Sequence, residues 1–245
     1  MLLLAHISDL HLDGTQRATE RALRVMDHLR NLPRPVDAVV VTGDIADHGE
    51  ISEYEEAARI LAAPFPVLLA PGNHDARGPL RKGLLGLPED GSPVNSVHRV
   101  GGAAVLMCDS SIPGRDEGLL DPDTVAWIDR TLSELHDVPA FLAFHHPPVR
   151  MHHPLPDSIG LQRQQDLADL LDAHPHVVAV LTGHSHTAAA STFARRPLLV
   201  APAITWTLRL PWEGEGLADL DAPPALAYHV LDDDGSLITH FRVVR

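Results

Sequence analysis

Short apolar runs recur along the chain, each closed by a turn sequence. Leu2 to Ser8, Val36 to Thr42, Pro66 to Ala70, Pro139 to Phe144 and Val177 to Thr182 are too brief for helices and predict strands. Val39-Val40-Val41 reads as a strand buried on both faces. Between the runs the spacing turns helical. Ala22, Val25, Met26, Leu29 and Leu32 form one stripe, closed by Pro33 and Pro35. Tyr54, Ala57, Ala58 and Leu61 form a second, and Leu161 to Ala173 is a further helix. Asp121-Pro122 opens another as N-cap and first helical residue, with Val125, Ile128, Leu132 and Leu135 behind it. Strand and helix in alternation predict an α/β fold with a parallel core and right-handed crossovers.

The pattern changes at Gly101-Gly102, which joins Val94–Val100 to Ala103–Cys108 as a hairpin and marks the start of a second sheet. Residues 188 to 245 read as β-rich. There, Leu226–Leu231 and Ser236–Val244 flank the turn Asp232-Asp233-Asp234-Gly235. Those three aspartates lack the spacing and distal glutamate of an EF-hand loop, so they are a turn and not a calcium site.

Charge and composition narrow the chemistry. The formal net charge is -14, which repels nucleic acid and anionic membrane. Neither is an expected general partner, and the lack of an aromatic and basic stripe argues against a nuclease. Cys108 is the single cysteine, which rules out an intrachain disulfide and a thiolate zinc site. The apolar start Met1 to Leu4 is too short for a signal peptide, and no stretch approaches the ~20 apolar residues of a membrane span. The expected location is the cytoplasm. Seventeen histidines invite a search for ligands.

They stand where the strands end. Asp9/His11, Asp44, Asn73/His74, His145/His146 and His184/His186 each follow an apolar run. In open α/β sheets, the carboxyl ends of the strands are where ligands bind. Residues two apart on an extended chain point the same way, so Asp9 with His11, and His184 with His186, can each reach one ion. Adjacent His145 and His146 cannot both do so, leaving one as a ligand and the other structural. Gly72 lets the backbone turn and a ligand approach. Asn73 offers an amide oxygen, His74 a proton carrier, and Asp75 a carboxylate to orient that imidazole. Any one of these motifs is also a common polar turn. Together they form an oxygen and imidazole set suited to Mn²⁺, Fe, Zn²⁺ or Co²⁺. There are too many ligands for one tetrahedral ion, so two ions sharing a carboxylate, roughly 3.5–4 Å apart, is the economical arrangement. Arg77, Arg81 and Lys82 form a local basic cluster, read either as a solvated face or as a phosphate contact. His152 and His153 read as exposed loop residues. Trp206, Leu208, Leu210 and Trp212 read as core, with a lid or a dimer contact as alternatives.

In this order, Asp-x-His, Gly-Asp, Gly-Asn-His-Asp, His and Gly-His-x-His resemble the calcineurin-like metallophosphoesterase superfamily across residues 5 to 187. Residues 43 to 49 with Glu53-Tyr54, residues 72 to 77, Asp109-Ser110 with Gly118, and residues 145 to 148 resemble its class III cyclic nucleotide phosphodiesterase branch. That branch often carries Gly-His-Val-His-Arg, where Ser185 and Thr187 stand here, and a Met-Asp pair where Pro156-Asp157 stands. The resemblance implies one domain over 1–245, a four-layer α-β-β-α sandwich of two mixed sheets, with residues 188–245 completing the second sheet. It implies Asp9, His11 and His186 on one metal ion, Asn73, His145 and His184 on the other, and Asp44 bridging. His145 is preferred to His146 because the family's ligand is followed two residues later by proline. His74 would be the catalytic histidine with Asp75 behind it, and Arg77 and His146 would contact substrate. The implied activity is hydrolysis of a small phosphodiester such as a cyclic nucleotide, by water activated between the ions. Phosphomonoesters, glycerophosphodiesters and nucleotide-lipid pyrophosphates are the alternative substrates. A homodimer is expected from the resemblance. A scaffold on a degenerate site would lack ligands, and none is missing.

Overall fold

A computed structural model describes residues 1–245. The first half is a run of strand–helix units: β1 (Leu2–Ile7), α1 (Gln16–Arg30), β2 (Ala38–Thr42), α2 (Ile51–Ile60), β3 (Val67–Ala70) and α3 (Arg77–Gly83). Thr15 caps α1 by accepting from the Ala18 N–H. In α2 the capping box joins Glu50 and Glu53. β1, β2 and β3 are parallel neighbours.

The hairpin of β4 (Ser96–Val100) and β5 (Ala103–Met107) begins the second sheet. Then come α4 (Pro122–Glu134), β6 (Ala140–Ala143), the short α5 (Pro154–Ser158), α6 (Gln164–Ala173) and β7 (Val177–Thr182). Asp121 caps α4 by accepting from the Thr124 N–H, as its sequence predicts. β8 (Ala189–Phe193) and β9 (Arg196–Val200) complete this sheet, in the order β4-β5-β6-β7-β9-β8.

The rest of the tail goes elsewhere. After a small hairpin of β10 (Thr207–Leu208) and β11 (Ala218–Asp219), β12 (Ala225–Leu231) and β13 (Leu237–Val243) return to the first sheet, ordered β13-β12-β1-β2-β3. Residues 188–245 therefore serve both sheets and not the second alone. The hairpin at Asp232–Gly235 is where the sequence puts it. Its β12 pairs antiparallel with β1, because the apolar positions Leu226 and Leu231 match the two buried faces of that sheet.

Three apolar layers hold the sandwich. One lies between α1, α2 and the first sheet, and another between α4, α6 and the second. The third lies between the sheets, where Leu4, Val40 and Leu68 face Met107, Phe141 and Leu181. Each such side chain contributes about 1.5–3 kcal/mol when fully buried. A polar chain runs through the first sheet. Thr239 Oγ1 meets His229 Nδ1 at 2.8 Å, His229 Nε2 meets His6 Nδ1 at 3.0 Å, and His6 Nε2 meets Thr42 Oγ1 at 2.9 Å. Burial holds both imidazoles neutral, His229 down at about 3. No helix is long and apolar enough to cross a membrane.

Candidate metal centre

β1, β2, β3, β6 and β7 all end at one edge, and the polar residues that follow them converge there. The backbone leaves extended geometry to achieve this. Nine non-glycine residues have positive φ, and five of them are Asp9, His11, Asp44, His184 and His186. Asp9 and His11 thus converge through two left-handed residues in a tight loop, not through strand alternation, and His184 and His186 do the same. Glycines make room. A Cβ on Gly72 would collide with Asp44, and one on Gly183 with the Ser8 hydroxyl.

Asp44 sits at the centre. Its Oδ1 accepts from the His74 N–H at 2.9 Å. Its Oδ2 lies 3.4 Å from His11 Nε2 and 3.2 Å from His145 Nε2, one on each side. On the first side His11 Nε2 and His186 Nε2 are 3.1 Å apart, and Asp9 Oδ1 is 3.5 Å from His186 Nε2. On the second, Asn73 Oδ1 lies 3.2 Å from His145 Nε2 and 3.0 Å from His184 Nδ1. His145 Nε2 and His184 Nδ1 are 3.2 Å apart.

The protons on these rings face away from the centre. His11 Nδ1 meets the Asp47 carboxylate at 2.7 Å, His145 Nδ1 the Thr42 carbonyl at 2.6 Å, and His186 Nδ1 the Trp206 carbonyl at 3.1 Å. Each of those contacts takes the ring N–H as donor, so the other nitrogen faces the centre, with a lone pair to offer once any proton it holds is displaced. Nitrogen and oxygen atoms that face each other at 3.0–3.5 Å are joined by a proton or, with the protons displaced, by a metal ion. Asp9, His11, Asp44 and His186 present ligand atoms all within 4.8 Å of one another, so the residues fit a metal ion. Asn73 Oδ1, His145 Nε2 and His184 Nδ1, 3.0–3.2 Å apart, fit a second.

The electrostatics reflect this crowding. Burial pushes Asp9 up to about 6, helped by Asp44 and opposed by the nearby imidazoles. Burial and the charge of the neighbouring His145 hold His184 at about 3, and burial holds His186 well below its usual value. At His145 burial is outweighed by the Asp44 and Asp9 carboxylates and the Thr42 carbonyl, raising it to about 9. His11 is likewise raised, its burial overcome by Asp47 and Asp44.

His146 also lies near His145 and His184, but both its ring nitrogens are taken. Nδ1 meets Ser110 Oγ at 2.8 Å and Nε2 the Asp116 carbonyl at 3.1 Å. It is fully buried and is not brought to the cleft lining, where it would have to lie to meet substrate, and it props the loop instead. Arg77 is likewise not brought to the cleft. Its Nε pairs with Asp109 Oδ2 at 2.8 Å, and it donates to the Ser111 carbonyl at 2.9 Å. Asp75 does not touch the His74 ring. It accepts from the N–H groups of Ile45, Ala46 and Gly72 and from the Tyr54 hydroxyl. The residue that holds His74 is Asp47, whose carbonyl takes the Nδ1 proton at 2.8 Å and whose carboxylate takes that of His11. His153 is no idle loop residue either, for it caps α5 by accepting from the Leu155 N–H.

Over this floor lies a cleft of about 160 Å³, walled by Leu155, Pro156 and Ile159 on one side and by Trp206 and Leu208 near His186. Of the four residues read from sequence as core, Leu208 is buried and lines the cleft beside half-buried Trp206, Leu210 is half-buried, and Trp212 is exposed. No Lys or Arg lines the cleft.

Known proteins share the motifs and the fold. The family described as calcineurin-like phosphoesterase matches residues 2–188. A glycerophosphodiester phosphodiesterase of Enterobacter lignolyticus is 34% identical, over 82% of this chain and 77% of its own. A cAMP/cGMP dual specificity phosphodiesterase of Mycobacterium tuberculosis is 33% identical, over 83% of this chain and 68% of its own. In fold, a dimetal phosphatase of Danio rerio superposes with a TM-score of 0.73 at 14% identity, covering 100% of this chain and 96% of that one. Members of the family use divalent metal ions, and the buried Asp and His groups of this chain are suited to hold them. The matched span, the relatives and the geometry agree: this chain belongs to the calcineurin-like phosphoesterase family and is a phosphodiesterase-like hydrolase.

Proposed function

We propose that the chain hydrolyses small phosphodiesters, cyclic nucleotides among them, at a site for two ions of the Mn, Fe, Zn or Co type. Asp9, His11 and His186 hold one ion and Asn73, His145 and His184 the other. The observation that carries this reading is Asp44 Oδ2, which faces imidazole nitrogens on both sides at 3.2 and 3.4 Å. When bound, the ions supply activated water near neutral pH and neutralise charge on the phosphoryl oxygens.

The chain's own groups do the rest. His74, with Nδ1 tied to Asp47 and its ring 41% exposed at the cleft, carries a proton at Nε2 toward the leaving oxygen. No nucleophilic side chain is needed, and Cys108 is buried away from the cleft. The lining holds no Lys or Arg to meet the extra charge of a monoester dianion, which favours a diester carrying one negative charge. The names of the relatives support the same class, through cyclic nucleotides on one side and glycerophosphodiesters on the other.

The test begins with metal-stripped protein given Mn²⁺, Zn²⁺ or Mg²⁺ in turn. The substrates are bis-p-nitrophenyl phosphate, p-nitrophenyl phosphate, and 2′,3′- and 3′,5′-cyclic AMP. Diester turnover restored by metal and absent in Asn73→Ala supports the reading. Turnover of the monoester alone overturns the diester preference.

A further inference from the structure

The excursion from Ile204 to Ala222 carries no metal-ligand motif, yet its first residues brace the site. The Ile204 N–H donates to the Ser8 carbonyl and the Thr205 N–H to the Asp9 carbonyl, each at 3.1 Å. The Leu208 N–H donates to the His186 carbonyl at 3.3 Å. Trp206 stands among them in two roles. Its carbonyl accepts the His186 Nδ1 proton, and its indole stacks on the His186 ring at 3.9 Å between centroids and 34° between planes. The same half-buried indole lines the cleft beside Leu208.

Both feet of this excursion are fastened from α1. Arg21 is 8% exposed, and it donates from Nε to the Ile204 carbonyl and from Nη2 to the Ala222 carbonyl, both at 2.7 Å. Arg17 donates to the Leu220 carbonyl.

We propose that Trp206 is the specificity-determining residue of the cleft, and that Arg21 is its positioning residue. The indole presents a flat apolar face to the organic group of a phosphodiester, so diesters bearing a planar aryl group gain over small alkyl ones. Through its carbonyl the same residue keeps His186 Nε2 aimed inward. Arg21 touches neither substrate nor ligand, and acts by holding the two ends of the segment that carries Trp206. This inference rests on the diester reading above.

The test compares methyl p-nitrophenyl phosphate with phenyl p-nitrophenyl phosphate, which share a leaving group and differ in the other ester. The wild type favours the phenyl diester. Trp206→Ala lowers that preference about threefold to tenfold, chiefly through KM. Trp206→Phe keeps most of it, and stands in if Trp206→Ala fails to fold. Arg21→Met lowers the preference without altering any residue of the cleft. In a second measurement, diphenyl phosphate quenches tryptophan emission of the zinc-loaded wild type and of Trp212→Phe, but not of Trp206→Phe, and dimethyl phosphate quenches none.

An unchanged preference in Trp206→Ala and Arg21→Met overturns the inference while leaving the diester reading intact. If the wild type turns over neither diester with any metal, the hydrolytic reading fails, and the quench then decides the platform alone. A quench that depends on Trp206 upholds it, and no such dependence overturns it.

Discussion

Asp9, His11, Asp44, His145, His184 and His186 on the floor of the cleft are each at most 8% exposed, while Leu155 and the His74 ring above them are each 41% exposed. The floor is set by backbone. Its side chains leave the ends of buried strands, through left-handed residues and glycines that allow one path. The rim is set by α5 and the β10–β11 excursion, which meet above the floor from distant parts of the sequence. A floor of this kind fixes the reaction, and a rim of this kind selects what reaches it.

Substitutions test that division. The largest effect belongs to Asp44→Ala, which removes the group shared by both halves. Metal content and turnover fall together, by more than the roughly 10²–10³-fold that one lost transition-state donor costs. Metal analysis beside kinetics checks it, and full metal content in an inactive variant would break the shared role. His74→Ala should keep its metal and lose about 10²–10⁴-fold on substrates with poor leaving groups, with far less loss on p-nitrophenyl esters. Equal losses on both would remove its proton role.

Asp47→Ala frees the His11 ring while leaving the carbonyl that holds His74. Metal affinity should drop about 10–100-fold, read by chelator competition. Protons sharpen the picture further. Without metal His145 keeps its proton up to about 9 and His11 is raised, whereas His184 near 3 and the depressed His186 are already neutral. Metal must displace protons from the first pair, and below about pH 6 from Asp9 as well. Affinity therefore rises with pH between about 6 and 8, by up to about tenfold per unit for each proton displaced, and calorimetry in buffers of different ionisation enthalpy counts them. Arg77→Ala should have the least effect on activity. It leaves the buried Asp109 carboxylate with the Val94 and Ser111 donors but no cation, and costs about 3 kcal/mol of stability in a denaturant melt, yet leaves kcat nearly unchanged.

The floor was legible in the sequence because ligand-type residues after apolar strands form a one-dimensional pattern. The reason for their convergence was not, since the left-handed turns at Asp9 and His11 replace the extended spacing that the residues suggest. His145 and His146 show the same limit. Alternation separates an inward from an outward ring, but only the Ser110 and Asp116 contacts show which ring is engaged elsewhere. Asp47 lies inside the 43–49 motif, as a carboxylate three residues after Asp44, and that spacing is its signal. Trp206 had no such signal. Its hydrogen bond to His186 spans twenty residues and depends on a segment whose apolar content looks like core. The split of the tail between two sheets is likewise a matter of long-range pairing, which periodicity does not encode.

Asp75 draws four donors from two loops and a helix onto one carboxylate, against the burial and the Asp44 charge that raise it to about 6. The loops bearing Asp44 and Asn73 are thereby laced by the polypeptide itself. The ions are then guests in a finished vessel and not the pegs that hold it up, unlike the zinc of a small finger domain. Such a vessel should survive emptying and refilling without unfolding, and a melt of the metal-stripped chain checks it.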